Sequence, residues 1–151
     1  MSYSSLLYHI ILRTYRSQRT LNEKYERELY QFIYGFMVKR GAKVYRIGGM
    51  PDHIHILLTL SPAIAISDFI KELKRCSSRY MKEERSKFPA FEGWSKSFAV
   101  FSYSPRDKEM IRHYIVNQKE HHKKFSFEDE LRMLFQEAEV SIQEEYFLKD
   151  D

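Results

Sequence analysis

The sequence lacks the features that would indicate a secreted, membrane-spanning or nucleotide-binding protein. Its single cysteine, Cys76, excludes a disulfide within the chain, which suits a reducing compartment. No apolar run is long enough to span a bilayer, and the N-terminus has no signal-peptide pattern. No Gly-rich loop that could cradle phosphates is present. We therefore expect a cytoplasmic protein that acts without a membrane or a nucleotide cofactor.

The composition is that of an ordinary globular domain. Apolar residues make up 43% and charged residues 30% of the 151 residues, which is enough for one hydrophobic core and one domain, residues 1–151. There are 25 basic and 21 acidic residues, which gives a net charge of +4. This charge tolerates a polyanionic partner, but a solvated basic surface accounts for it equally well. Aromatic residues reach 15% and can serve either as core or as stacking platforms for bases.

The hydrophobic pattern predicts an α+β domain with the element order βαββαβ, followed by two helices. Strands are predicted at 3–14, 43–48, 53–60 and 96–103, and helices at 21–40, 67–85, 104–124 and 126–138. Ser67, Ser104 and Ser126 are expected to be N-caps. The aromatic and acidic tail, 141–151, is expected to dock on the body. The order is that of the ferredoxin-like split βαβ fold, an antiparallel sheet with helices on one face, here with added C-terminal helices.

One strand carries a possible metal site. His53 and His55 flank Ile54, and because side chains alternate along a strand, both imidazoles point to the same face. Two adjacent imidazoles on a rigid strand can share one metal ion. A lone His-x-His is more often structural than metal-binding, so this hypothesis needs a third ligand and a reacting group.

The helix predicted after Ser104 supplies both kinds of group. Tyr114 and Gln118 are four residues apart and so lie on one helix face. The amide oxygen of Gln118 suits a hard divalent cation, with Mg²⁺ or Mn²⁺ the better choice, and Tyr114 offers a phenol. Taken singly, Tyr114 is typical of a packed aromatic and Gln118 of a solvated polar residue.

The two motifs together resemble the signatures of single-tyrosine HUH transposases of the IS200/IS605 type. The segment GGMPDHIHILL (48–58) contains the His-hydrophobe-His motif, and YIVNQKEHHKKFSFEDE (114–130) resembles the family's tyrosine helix. YHIILRTYR (8–16), FIKELKRCSSRYMKEE (69–84) and EEYFLKDD (144–151) resemble its first strand, second helix and tail. The chain departs from the family at 94–98, Trp-Ser-Lys-Ser-Phe, and at 14–16, Thr-Tyr-Arg, which concerns contacts to DNA and not the metal or tyrosine motifs.

This resemblance implies a metal-dependent enzyme that cleaves and rejoins single-stranded DNA. Tyr114 would attack the scissile phosphorus, giving a 5′-phosphotyrosine link and a free 3′-OH, and a second 3′-OH would reverse the reaction. His53, His55 and Gln118 would hold the divalent metal. The resemblance also implies recognition of hairpins in single-stranded element ends and a homodimer, in which the site can be assembled in trans.

Basic residues would position the strand through its phosphates. The residues considered are two early arginines, Arg13 and Arg16, and a stripe on the second helix, Lys71, Lys74, Arg75 and Lys82. For each of them a solvated charged face is an equally good interpretation.

Two alternatives remain open at the level of sequence. The first is a non-catalytic module that binds single-stranded nucleic acid on the same fold, although such a module has no use for the paired motifs. The second is a domesticated relative that cleaves repeats for its host by the same chemistry. The DNA that flanks the gene would separate this relative from a mobile element.

Overall fold

Four antiparallel strands form one sheet in the order β2-β3-β1-β4 in the computed structural model, which describes residues 2–150. The strands are β1 (Leu7–Thr14), β2 (Lys43–Met50), β3 (His53–Thr59) and β4 (Trp94–Tyr103). The central pair, β1 and β3, is almost entirely buried because both of its faces are covered. β3 therefore offers a rigid support for the two histidines at its start.

The helices lie on both faces of this sheet. They are α1 (Glu26–Lys39), α2 (Ile66–Glu83), α3 (Lys108–Val116), α4 (Gln118–His121) and α5 (Phe127–Glu137). On one face, α1 and α2 bury the main core against Ile10, Ile54 and Ile56. On the other face, α3 and α5 pack against Leu57 and Ile11, respectively. The α+β class and the βαββαβ order predicted from sequence are confirmed.

Several predicted boundaries are wrong in detail. β1 begins at Leu7 and not at residue 3, and β2 continues through two glycines to Met50. A short 3₁₀ turn, Glu23–Tyr25, precedes α1. The N-cap of α2 is Ala65 and not Ser67, because the helix already begins at Ile66. The other two strands, β3 and β4, and the last helix, α5, differ from the prediction by at most two residues at either end.

The helix predicted over 104–124 is divided into two. It opens with a 3₁₀ turn, Pro105–Asp107, capped by Ser104. α3 then ends at Val116, because Asn117 leaves helical geometry (φ −93°, ψ 17°). Asparagine is a poor helix former because its side chain competes for backbone hydrogen bonds. The division turns Gln118 inward, where it is 1% exposed.

Two further expectations, the cap at Ser126 and the docking of the tail, are confirmed. Ser126 caps α5 by accepting a hydrogen bond from the backbone N–H of Asp129. The tail docks on the body, since Phe147 and Leu148 pack against the cluster around Ile11. Cys76 is buried. Within residues 2–150, no helix combines the length and the apolar character that crossing a membrane requires.

Replacement by alanine should have opposite effects on stability at Gly49, beside the β2–β3 turn, and at Gly35, in α1. A Cβ on Gly49 would lie 2.2 Å from the carbonyl oxygen of His53, whereas a Cβ on Gly35 in α1 would meet nothing within 4 Å. We expect Gly49→Ala to destabilise the fold by about 1–3 kcal/mol through overpacking. Gly35→Ala should stabilise it by about 0.5–1 kcal/mol, because alanine suits a helix better. Urea unfolding measures both, and equal stabilities of the two variants would contradict this close approach at the turn.

Candidate functional site

The two histidines of β3 lie on the face covered by α3 and α5, as the alternation predicts. His53 and His55 are both fully buried, while Ile54 and Ile56 point into the main core on the other face. The ring centroids of the two histidines are 5.1 Å apart. A pair of imidazoles held this closely on a central strand can present two nitrogens to one ion.

Hydrogen bonds at Nδ1 fix the orientation of both rings. His53 Nδ1 donates to the Asp52 carboxylate at 2.7 Å, and His55 Nδ1 lies 2.7 Å from Nε2 of His9, which is on β1. Such contacts hold the tautomer and orientation of metal-binding imidazoles. The Nε2 atoms of His53 and His55 are consequently the ones that face the interior of the site.

Glu130 of α5 stands between these Nε2 atoms. Its Oε1 lies 3.1 Å from His55 Nε2 and 3.3 Å from His53 Nε2, and its side chain is 0% exposed. The three side chains bring their ligand atoms within 4.8 Å of one another, a group that could hold a metal ion. Two imidazoles and one carboxylate are a donor set found in metal sites with open positions for substrate.

The second oxygen of Glu130 contacts the residues predicted on the tyrosine helix. Its Oε2 accepts hydrogen bonds from the Tyr114 hydroxyl and, at 2.8 Å, from Gln118 Nε2. Gln118 Oε1 lies 3.1 Å from His53 Nε2. His53, His55, Tyr114 and Gln118 therefore meet within one chain, and a carboxylate connects all four.

Close backbone contact sets the position of α3 on the sheet. A Cβ on Gly48 would come within 2.9 Å of the carbonyl oxygen of Ile115 and 3.0 Å of its side chain. Because Gly48 has no side chain, α3 can rest directly on β2. Tyr114, next to Ile115, is thereby held with its ring 5.8 Å from that of His55.

The electrostatics of the site are dominated by the buried carboxylate. Burial alone would raise the pKa of Glu130, but the charge of His55 and hydrogen bonds from His122 and His53 hold this pKa well below its usual range. Burial lowers the pKa of His53, but its hydrogen bonds to Asp52 and Glu130 raise the pKa by more. The pKa of His53 is therefore above its ordinary value. Burial, together with the negative charge of Glu130, raises the pKa of the Tyr114 phenol well above its ordinary value. The phenol is thus fully protonated in this arrangement.

The C-terminal part of the chain closes this site. Phe127 lies flat on His53, with ring centroids 3.9 Å apart and an interplanar angle of 12°. The imidazoles, Gln118 and Glu130 are buried, while Tyr114 is only half-buried.

The basic residues predicted to contact DNA fall into two groups. Arg13 lies on the same sheet face as His53, directly opposite it in the strand register, and Arg16 is exposed in the loop after β1. The other four belong to α2, which covers the opposite face. Among them, Lys74 donates to the carbonyl oxygens of Ser95 and Lys96 on β4, and burial lowers its pKa to about 8.

Sequence reasoning assigned no role to several residues of the site, of which Glu130 and His9 are the most informative. Glu130 lies three residues after Phe127 and four before Leu134, so a carboxylate stands within the apolar stripe of α5, a pattern that does signal a buried polar role. His9 points to the same face as Ile11 and Arg13, and only the pairing of β1 with β3 reveals that it meets His55. Two further histidines, in and just after the helices α3 and α4, have different environments: His122 reaches Gln118 Oε1 at 3.0 Å, whereas His113 is exposed.

Comparisons with known proteins agree on one family. A family model described as "Transposase IS200 like" matches residues 2–118. ISDra2 transposase TnpA of Deinococcus radiodurans is 31% identical over 118 residues, which are 75% of this chain and 84% of that protein. The match to the family model stops at Gln118, so Glu130 and the tail lie beyond it.

Two solved structures share the fold. A transposase crystal structure from Deinococcus radiodurans R1 has a TM-score of 0.61 at 29% identity, and the match covers 78% of this chain and 95% of that one. A REP-associated tyrosine transposase bound to a REP hairpin has a TM-score of 0.60 at 15% identity, with 81% and 74% covered. At that identity the second likeness concerns the fold alone.

The hydrogen bonds of His53 predict its titration in chelator-treated protein. Because its folded pKa is raised above the unfolded value of about 6.5, its protonated form stabilises the fold below that pH, and this contribution is lost as the pH rises through the folded pKa. Glu130→Gln removes one source of the upward shift, so the His53 pKa should fall. NMR titration of the ring protons measures the change. Glu128→Gln, an exposed neighbour on α5, is the control, and an unaltered His53 midpoint in Glu130→Gln would refute the contact.

Proposed function

Because the chain belongs to the IS200-like transposase family, we propose that it cleaves and rejoins single-stranded DNA at hairpin-bearing ends through a 5′-phosphotyrosine intermediate. Membership of this family supports a role for the chain in DNA cleavage and recombination in general. The observation that carries the finer proposal is the shared carboxylate, since Glu130 contacts the phenol of Tyr114 through one oxygen and both imidazoles through the other. Nucleophile and metal-binding groups therefore surround one carboxylate, close enough together to act on the same phosphate.

Tyr114 is the proposed nucleophile. Its oxygen would attack the scissile phosphorus in line, the bond from phosphorus to the 3′-oxygen would break, and the DNA would keep a free 3′-OH. Glu130 Oε2 already accepts the phenolic hydrogen bond, so it is proposed to take the proton that Tyr114 loses and to pass it on to the departing 3′-oxygen. In the rejoining step an incoming 3′-OH attacks the phosphotyrosine, the bond from phosphorus to the Tyr114 oxygen breaks, and the proton of the 3′-OH passes through Glu130 to the phenol oxygen.

The donor set fits a divalent cation. His53, His55 and Gln118 are the proposed ligands from sequence, and Glu130 Oε1 is proposed as a further ligand because it lies within 3.3 Å of both Nε2 atoms. Imidazole, amide and carboxylate donors together suit Mn²⁺, and Mg²⁺ is the other proposed ion. When bound, the cation would offset the charge that opposes Tyr114 ionisation and would stabilise negative charge on the phosphate. Asp52 and His9 would orient the two imidazoles.

The proposed partner is single-stranded DNA with hairpins. The fold relative bound to a REP hairpin supports this choice, as does the net charge of +4. A homodimer remains a prediction. Tyr114 and the two histidines already adjoin one another within one chain, so a cis site needs no residue from a partner.

Covalent capture tests the nucleophile. With hairpin-bearing single-stranded DNA and Mn²⁺, we expect an adduct on a denaturing gel, and Tyr114→Phe should abolish it while DNA affinity is kept. Tyr103→Phe is the matched control, because Tyr103 lies 6.2 Å from the His9 ring on the same sheet face and should be dispensable. No adduct with the unaltered chain would favour the non-catalytic binding module, and an adduct in Tyr114→Phe would refute the nucleophile. A domesticated relative would form the same adduct, so only the flanking DNA separates that alternative.

Metal titration tests the ligand set. We expect Glu130→Gln to weaken Mn²⁺ binding by at least the ~10–100-fold that supporting residues of metal sites cost, because it removes a ligand charge. Gln118→Ala should weaken it less, since an amide carries no charge. The free Mn²⁺ signal in electron paramagnetic resonance gives both affinities, with Glu128→Gln as control. Unaltered binding in Glu130→Gln would exclude the carboxylate and leave Gln118 as the third ligand.

A further inference from the structure

A second cluster of polar side chains lies beside the metal-binding candidates and holds a carboxylate from the chain's own tail. Asp150 Oδ2 accepts hydrogen bonds from Arg13 Nη1 at 2.8 Å and from the backbone N–H of Arg16 at 2.7 Å. Its Oδ1 accepts one from the hydroxyl of Ser95 at 2.6 Å. The side chains of Arg13 and Asp150 are only 5% and 4% exposed. We call these donors the Arg13 pocket (Arg13, Ser95 and the Arg16 N–H).

The Arg13 pocket is built for an anion. The guanidinium of Arg13 is also held by Ser17 Oγ at 3.1 Å and by Ser95 Oγ at 2.8 Å, so its orientation does not depend on Asp150 alone. The ammonium of Lys74 lies nearby, on the carbonyl oxygen of Ser95. A buried guanidinium, a hydroxyl and a backbone N–H are the donors that recognise phosphate oxygens in proteins.

The loop that supplies the backbone donor has an unusual conformation. Arg16 and Ser17 both have positive φ angles, 54° and 55°, although neither is a glycine. Such residues persist only where the surroundings hold them, and they cluster at ligand-binding loops. Backbone N–H groups exposed by turns can bind anions, and here the N–H of Arg16 is the one that contacts the carboxylate.

The pocket adjoins the proposed reaction site. Arg13 pairs with His53 in the β1–β3 register, so the two side chains leave the same sheet face with Cβ atoms about 4.5–5.5 Å apart. The loop after β1 is tied to the turn before β3, since the N–H of Thr14 donates to the carbonyl oxygen of Asp52 at 3.0 Å. A strand with its scissile phosphate at His53 would pass the Arg13 pocket.

We propose that the Arg13 pocket binds a backbone phosphate next to the one that Tyr114 attacks, and that Asp150 occupies the pocket when DNA is absent. This inference rests on the proposed function, because it assumes that single-stranded DNA crosses this face. A phosphodiester can replace the carboxylate with the same negative charge and the same accepting oxygens. Only the end of the tail has to swing away, since Phe147 and Leu148 are anchored separately on the cluster around Ile11.

DNA affinity measured without cleavage tests the pocket. In a Tyr114→Phe background, fluorescence anisotropy with a labelled hairpin-bearing single strand should show that Asp150→Asn binds about tenfold more tightly, because one charge-assisted contact becomes available to DNA. The slope of log affinity against log salt should also steepen by about 0.7, as expected for one added phosphate contact on a single strand. A purely structural ion pair would change neither quantity in this direction.

Matched variants separate the pocket from a general effect of tail charge. Glu144→Gln deletes a tail carboxylate of equal charge that pairs with exposed Arg132, and it should leave the affinity and the salt slope unchanged. In an Arg13→Lys background, Asp150→Asn should raise the DNA affinity by a smaller factor than it does with Arg13 present, because lysine lacks the guanidinium fork. Ser95→Ala provides the same comparison if the arginine variant fails to fold. Thermal melts with inorganic phosphate distinguish a free anion from a DNA phosphate as the ligand.

Each outcome either supports or overturns the pocket. Tighter binding with a steeper slope in Asp150→Asn alone supports it. The pocket would be overturned if Asp150→Asn and Glu144→Gln changed the DNA affinity equally. It would also be overturned if Asp150→Asn bound DNA more weakly than, or as tightly as, the chain that keeps Asp150. Phosphate stabilisation of Asp150→Asn without a gain in DNA affinity would overturn the assignment to DNA. Adduct formation by the unaltered chain with no Asp150 effect leaves the proposed function intact, whereas absence of any DNA binding refutes both.

Discussion

The buried carboxylate of Glu130 is the constraint around which one face of this protein is organised. An ionised carboxylate removed from water is costly unless charges and hydrogen bonds surround it. Here imidazoles, a phenol and an amide provide these contacts, and they come from β3, α3 and α4. The position of α5 is consequently determined by polar chemistry as well as by its apolar contacts. The same groups that neutralise the carboxylate are those that the proposed reaction uses.

The two faces of the sheet have different roles. The face covered by α1 and α2 holds the larger apolar core, built from alternate residues of β1 and β3. The opposite face carries His9, Arg13, His53 and His55 from those same strands. Each central strand thus contributes apolar residues to one side and polar residues to the other. This alternation lets a rigid, well-packed sheet support a polar site without placing unpaired groups in the core.

The sequence was sufficient for the features that depend on short-range periodicity. The order of elements, the common face of His53 and His55 and the capping by Ser126 follow from local patterns that tertiary contacts did not override. The break at Asn117 was not predicted, because the pattern on either side remains helical. Glu130 and His9 were missed for another reason, since their roles depend on which elements pack together. A contact between α5 and β3 spans 75 residues, and nothing in either segment specifies the other.

Gly48 has a consequence for how this protein can change. Because Ile115 of α3 rests on the bare backbone of Gly48 in β2, the height of the tyrosine above the sheet depends on a contact that no side chain of β2 interrupts. Substitutions that repack the α1–α2 layer can therefore alter the stability of the domain while the spacing between phenol and imidazoles stays constant. Selection or engineering could in this sense change the stability that the α1–α2 layer contributes while the reacting groups keep their positions.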